Sequence, residues 1–316
     1  FMQLKFVKLN QFLIMSKLFS FKKIKFFLIF LITSCSKGDG SILNDSLIQL
    51  DPNLQQISQS ESKEEVLGCS GKIPDANFSG DLKTLIWSDE FDQDGSICDK
   101  NWYAETIPPN NGSWWNNEFQ YYTDRSENLL VENGTLKITA KREKYLNKDF
   151  TSARIVSKGL FSFMYGKIEV RAKLPKGGGT WPAIWMLGDN FDQVDWPQCG
   201  EIDIMEHDGF KEGRIHTTVH RANDNGDPVY FTSVKNEIKN VTEEFHAYSL
   251  VWNNQVLTFY IDDIAVYSYN NQSIFPYNQT FFIILNVAMG GNFVGNKVDE
   301  DFKSGTMEID YVRVYK

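Results

Sequence analysis

The stretch "HAYSLVW", His246–Trp252, is followed after Asn253, Asn254 and Gln255 by "VLTFYIDD", Val256–Asp263. Both pieces alternate in period two, are rich in Val, Tyr and Phe, and break at Asn or Asp, the pattern of half-buried β-strands joined by a turn. The same signature recurs in "TLKITA" (Thr135–Ala140), "GKIEVRAKL" (Gly166–Leu174), "FFIILNVAMGG" (Phe281–Gly291) and "MEIDYVRVY" (Met307–Tyr315). No segment past Leu82 shows a helical stripe, and there is no internal repeat. Many short strands with regular turn signals predict an all-β sandwich or jelly roll of two antiparallel sheets packed face to face.

The chain of 316 residues, 42% hydrophobic and 14% aromatic, is long enough to bury a sizeable core in one or two domains. Its formal net charge of −9 excludes the basic stripe that a nucleic-acid partner would require. At the N-terminal side, Lys17, Lys22, Lys23 and Lys25 precede an apolar run from Phe26 to Ile32, and "LITSC" ends at Cys35. This is a signal-peptide pattern, too short for the roughly 20 residues of a membrane span. Its ending resembles a bacterial lipobox, which makes Cys35 the expected lipidation site, Met15 the expected translation start, and a lipid anchor in the bacterial cell envelope the only expected membrane contact. Residues 36–80, rich in Ser, Gln, Asp, Asn and Lys, read as a flexible tether, and residues 81–316 as the folded domain. Cys69, Cys98 and Cys199 allow one disulfide and one odd thiol, the pair being left open. No CxxC spacing points to a metal cluster.

Within the domain, "WPQCGEIDIMEHDG" (Trp196–Gly209) sets three carboxylates among apolar residues. On a strand, Glu201 and Asp203 share one face while Ile202 and Ile204 face a core. Glu206, an odd number of positions from Glu201, joins the acid face only if the strand carries one extra residue, so a bulge is predicted near Met205. Three acids in a row suit glycoside hydrolysis. In retaining enzymes two carboxyl groups about 5 to 5.5 Å apart act as nucleophile and acid; inversion needs roughly 6.5 to 9.5 Å. Crowding predicts that one glutamate stays protonated near neutral pH. Trp181 and Trp185, four apart on one strand face, and Trp196 just before the acids supply planes that stack on sugar rings.

The blocks "LIWSDEFD", "NNEFQYYTDRSENLLVENGTLKITAK", "GTWPAIWMLG", "CGEIDIMEH", "HTTVH", "FFIILNVAMGGNF" and "MEIDYVRVYK" together resemble glycoside hydrolase family 16, in particular its laminarinase-like members. The resemblance covers nearly the whole domain. It implies a β-jelly-roll with a concave substrate cleft, Glu201 as nucleophile, Glu206 as general acid/base and Asp203 as the helper between them. It also implies Asn117, Arg154, Trp181, Trp185 and His220 as cleft contacts, and a structural calcium held by Glu90, the Gly134 carbonyl and Asp310, with no cofactor for catalysis. His216 and His220 mimic a zinc HxxxH spacing, but four apart on a strand they share a face and stand too far apart. The implied activity is endo-hydrolysis of β-1,3-glucan by a monomer. The ExDxxE spacing is shared with agar- and carrageenan-cleaving members, so a marine galactan, a mixed-linkage glucan, or a noncatalytic glycan-binding role stand as alternatives.

Overall fold

The computed structural model describes residues 82–271 and 275–316. Cys35, Cys69, the signal segment and the tether lie outside the described residues. Two sheets stack on each other. The eight-stranded sheet runs in the order Pro228–Lys235, Ile215–Ala222, Glu201–His207, Thr180–Gly188, Phe281–Met289, Arg154–Val156, Tyr103–Ala104, with Ser162–Phe163 beside Phe281–Met289. The ten-stranded sheet runs Ile264–Asn270, Val256–Ile261, His246–Trp252, Gly166–Lys173, Ser304–Tyr315, Thr135–Tyr145, Lys148–Ser152, Gln120–Tyr122, with Leu85–Asp89 and Leu129–Glu132 added alongside. Together they form the jelly roll.

The alternation that predicted strands also builds the core. Leu136, Ile138 and Ala140 from one strand, Ile168, Val170 and Ala172 from the next, and Leu250, Leu257 and Phe259 from the opening hairpin are all buried between the sheets. Each of the larger side chains among them contributes about 1.5–3 kcal/mol by leaving water, and the alanines less. Lys167, Glu169, Arg171 and Lys173 point to the other side and engage in ion pairs there. In the hairpin turn, Asn253 Oδ1 accepts hydrogen bonds from the backbone N–H groups of Gln255 (2.8 Å) and Val256 (3.0 Å), which is why Asn stands where the chain reverses.

Three features depart from the expected pattern. The pairing of Gln120–Tyr122 with Lys148–Ser152 is parallel, so the sheets are not wholly antiparallel. The strand Phe281–Met289 is buried at every position instead of half-buried. Its odd-numbered residues enter the main core. Phe282 and Ile284 pack on the opposite face in a second apolar cluster with Val156, Leu187 and Cys199, closed over by Trp185 and Phe191. Phe191 belongs to a single helical turn, Phe191–Val194, that no helical stripe announced. The cysteine question is also narrowed: Cys98 is disulfide-bonded and Cys199 is a free, buried thiol, so the pair does not include Cys199.

Candidate active site

The strand Glu201–His207 lies between Thr180–Gly188 and Ile215–Ala222. Opposite Ile215–Ala222, Asp203 pairs with Thr218 and Glu206 with His216, three residues along one strand against two along the other. Opposite Thr180–Gly188, Trp185 pairs with Asp203, Ile184 with Met205 and Ala183 with Glu206, which leaves Ile204 as the extra residue. This is the predicted bulge, spread over Ile204 and Met205. Both side chains are buried in the core, so the bulge spends two consecutive residues on the apolar side and returns Glu206 to the face of Glu201 and Asp203. That face, turned away from the core, is the cleft face.

Crowding and burial set the charge of the three acids. Asp203 is only 3% exposed, and burial, followed by the charge of Glu206, holds its carboxyl well above the usual aspartate range. Burial first, then Asp203, pushes Glu201 up to about 8. Burial first, then Glu201, pushes Glu206 up to about 7. The set therefore keeps protons at neutral pH that isolated carboxylates would have lost. Donors temper the effect. Trp181 Nε1–H donates to Glu206 Oε1 at 3.0 Å, the Trp196 side chain hydrogen-bonds Glu201, and His220 Nε2 stands 3.0 Å from Asp203 Oδ2 and 3.7 Å from Glu201 Oε1.

Trp181 and Trp185 do share the cleft face, with their rings held by different neighbours. Trp181 stacks on Phe293 at 4.9 Å with 16° between planes. Trp185 Nε1–H donates to Asn286 Oδ1 (2.7 Å), Asn286 Nδ2–H to the Tyr122 hydroxyl (3.1 Å), and that hydroxyl to Glu118 Oε2 (3.1 Å). Arg154 sits 4.8 Å from the Trp185 ring and pairs with Glu105 at 2.6 Å. The guanidinium thus lies against the indole while its charge is paired with a carboxylate. Asn117 Nδ2–H donates to Asn292 Oδ1 at 2.8 Å, in the loop that also carries Phe293. His216 packs edge-on against Phe293, away from His220, so the two histidines do not act as a pair.

Asn286, Tyr122, Glu118 and Phe293 escaped the sequence reading. One signal for Asn286 was present: it is the only polar residue in the nine-residue run Phe281–Met289.

Two cation sites come into question. Glu90 is gripped through both carboxylate oxygens by Arg313 (3.0 and 2.8 Å), and Asp310 pairs with Arg171 at 2.5 Å. With both carboxylates neutralised by guanidinium groups, the donor set expected with Gly134 does not fit a calcium ion. Elsewhere among the described residues, Glu201, Asp203 and His220 bring one ligand atom each within 4.8 Å of one another. These are the residues of the acid cluster itself.

A jelly roll carrying a bulged strand of three proton-retaining carboxylates, flanked by indole platforms, defines a polysaccharide-cleaving glycoside hydrolase. The sequence profile of glycosyl hydrolases family 16 matches residues 116–313, and the chain belongs to that family. It is 37% identical over 264 residues to a β-glucanase of Rhodothermus marinus, covering 79% of this chain and 91% of that protein. It is 36% identical to a glucan endo-1,3-β-glucosidase of Cryptopygus antarcticus, covering 75% and 93%. A crystal structure of a LamA variant from Zobellia galactanivorans in complex with laminaritriose and laminaritetraose superposes with a TM-score of 0.71 at 43% identity, covering 74% of this chain and 100% of that one.

Proposed function

We propose that this glycoside hydrolase is a retaining endo-β-1,3-glucanase. The observation that carries the reading is the bulge at Ile204 and Met205, which delivers Glu206 to the face of Glu201 with Asp203 between them. In the first step a Glu201 carboxylate oxygen bonds to the anomeric carbon. The bond from that carbon to the leaving sugar's oxygen breaks, and the oxygen takes the proton held by Glu206. In the second step Glu206, now ionised, removes a proton from water. The water oxygen bonds to the anomeric carbon and Glu201 is released. Asp203, the most deeply buried of the three, hydrogen-bonds Glu201 and stands 3.0 Å from His220 Nε2, so the three acids and the imidazole share their protons as one cluster and Glu201 attacks in its ionised form. The choice of β-1,3-glucan is supported by the two glucanase relatives and by the laminari-oligosaccharides bound in the Zobellia galactanivorans variant.

The test is reducing-sugar release from laminarin, lichenan, agarose and carrageenan by wild type and Glu201→Gln, with product anomers followed by NMR. Laminarin hydrolysis with initial release of the β-anomer, lost in Glu201→Gln, is the expected result. Release of the α-anomer would overturn double displacement, and cleavage of a galactan alone would overturn the substrate. We also infer a lipid anchor at Cys35 from the basic and apolar run before it. Cys35→Ser should then move the enzyme from the membrane to the soluble fraction, and an unchanged distribution would refute the anchor.

A further inference from the structure

The outermost strand of the eight-stranded sheet, Pro228–Lys235, pairs with Ile215–Ala222 in unbroken register, and Tyr230 lies directly opposite His220. His220 in turn lies opposite Glu201. Directly paired residues point to the same side of a sheet, so Tyr230 extends the row of the nucleophile across the cleft face. Its ring is 66% exposed, among the most exposed large apolar side chains of the described residues. On an edge strand facing a cleft, such a ring has no packing role to explain it.

Its surroundings resemble a small built compartment. The imidazole of His220 forms the floor, with the Tyr230 ring 5.8 Å and the Trp196 ring, 42% exposed, 6.1 Å from it. The floor is fixed from below by Tyr277, whose hydroxyl donates to the His220 carbonyl at 2.8 Å. The Trp196 loop and the hairpin leading to Tyr230 meet where Gln198 Nε2–H donates to the Gly226 carbonyl at 3.5 Å. The hairpin tip is itself ordered, since Asn223 Oδ1 accepts from the N–H groups of both Asn225 and Asp227 at 2.9 Å. Exposed Asp224 and Asp227 at that tip offer acceptors for hydroxyls.

We propose that Tyr230, with Trp196, forms a stacking subsite for a glucosyl unit beyond the one bonded at Glu201, at the edge-strand side of the cleft. The inference rests on the glucanase reading given above. Two strand spacings separate Tyr230 from Glu201, about 10 Å between backbones. A sugar seated on the nucleophile therefore leaves Tyr230 to its neighbour. The ring supplies the apolar plane, and the hairpin tip supplies polar groups at the rim, the usual division in a ligand site.

The experiment measures kcat/KM on laminari-oligosaccharides of increasing length for wild type, Tyr230→Ala and Tyr230→Phe. Loss of one stacked ring is expected to lower kcat/KM of Tyr230→Ala by about 5- to 10-fold on chains long enough to reach the subsite, and by less than about 2-fold on the shortest cleaved chain. Tyr230→Phe, which keeps the plane, should restore at least half of the loss. An equal loss at every length, or none at any length, overturns the subsite while the wild-type rates still stand. Wild type that cleaves no laminari-oligosaccharide overturns the glucanase reading and this subsite with it.

Discussion

The indole N–H of Trp181 donates to Glu206 Oε1 across 3.0 Å, so the same residue whose ring stacks on Phe293 also steadies the charge of that carboxylate. The hydrogen bond favours the ionised carboxylate and lowers a pKa that burial and Glu201 have raised to about 7. Trp181→Phe keeps the stack on Phe293 but removes the donor. The alkaline limb of the kcat/KM profile is expected to move up, and kcat to fall about tenfold, the effect of one hydrogen bond to a charged group. A pH profile superimposable on wild type would refute the role of this bond.

The chain from Trp185 through Asn286 and Tyr122 to Glu118 makes a different demand. None of the last three needs to touch substrate for its loss to be felt, because each fixes the next. Tyr122→Phe removes the hydroxyl that both accepts from Asn286 and donates to Glu118, and the half that reaches Trp185 through Asn286 is about 1 kcal/mol. A rise in KM of roughly 3- to 5-fold at nearly constant kcat is expected. A fall in thermal stability with KM unchanged would make the chain purely structural.

Stability should respond to pH in two opposed windows. Glu201 and Glu206 bind protons more tightly folded than unfolded, so their contribution is full below the ordinary glutamate value of 4.5 and is lost as pH rises toward 7 and 8. His207 behaves in reverse. It is fully buried. Burial pushes it down to about 4, so its contribution is present above 6.5 and is lost as pH falls toward 4. Two glutamates against one imidazole leave the folded state binding more protons than the unfolded chain above about pH 5, so the melting temperature is expected to fall from about pH 5 to about pH 8, and Glu206→Gln should flatten that alkaline decline by an amount on the order of 3 kcal/mol. An unchanged alkaline slope in that variant would contradict the assignment.

Cys199 is buried two residues before Glu201 opens the acid strand, and burial, followed by the charge of Glu201, pushes its thiol up to about 12. Iodoacetamide at pH 8 should leave the Cys199 peptide unmodified in the native enzyme and alkylate it after unfolding. Labelling of the native protein, read by mass spectrometry, would show that the acid strand opens.

Much of this was legible in the chain because one rule, alternation, governs most of it. It located the strands in "TLKITA" and "GKIEVRAKL", and its failure at Glu206 located the bulge. The acids were visible because carboxylates do not sit in a core without reason. Alternation says nothing about which strand lies beside which, so it could not reveal that Asn286 would meet Trp185, 101 positions earlier, or that Tyr230 would line up with Glu201. Nor could it show that Arg313 would neutralise Glu90, 223 positions away. The buried cleft face of Phe281–Met289 was missed for a related reason: its covering residue, Phe191, comes from a distant loop.

The strand Ser304–Tyr315 occupies the interior of the ten-stranded sheet, between Gly166–Lys173 and Thr135–Tyr145, and also carries Leu85–Asp89. A ribosome delivers it after every other strand of both sheets. Until then three earlier strands expose backbone edges with no neighbour, so folding cannot be completed as the chain emerges and must wait for its last strand.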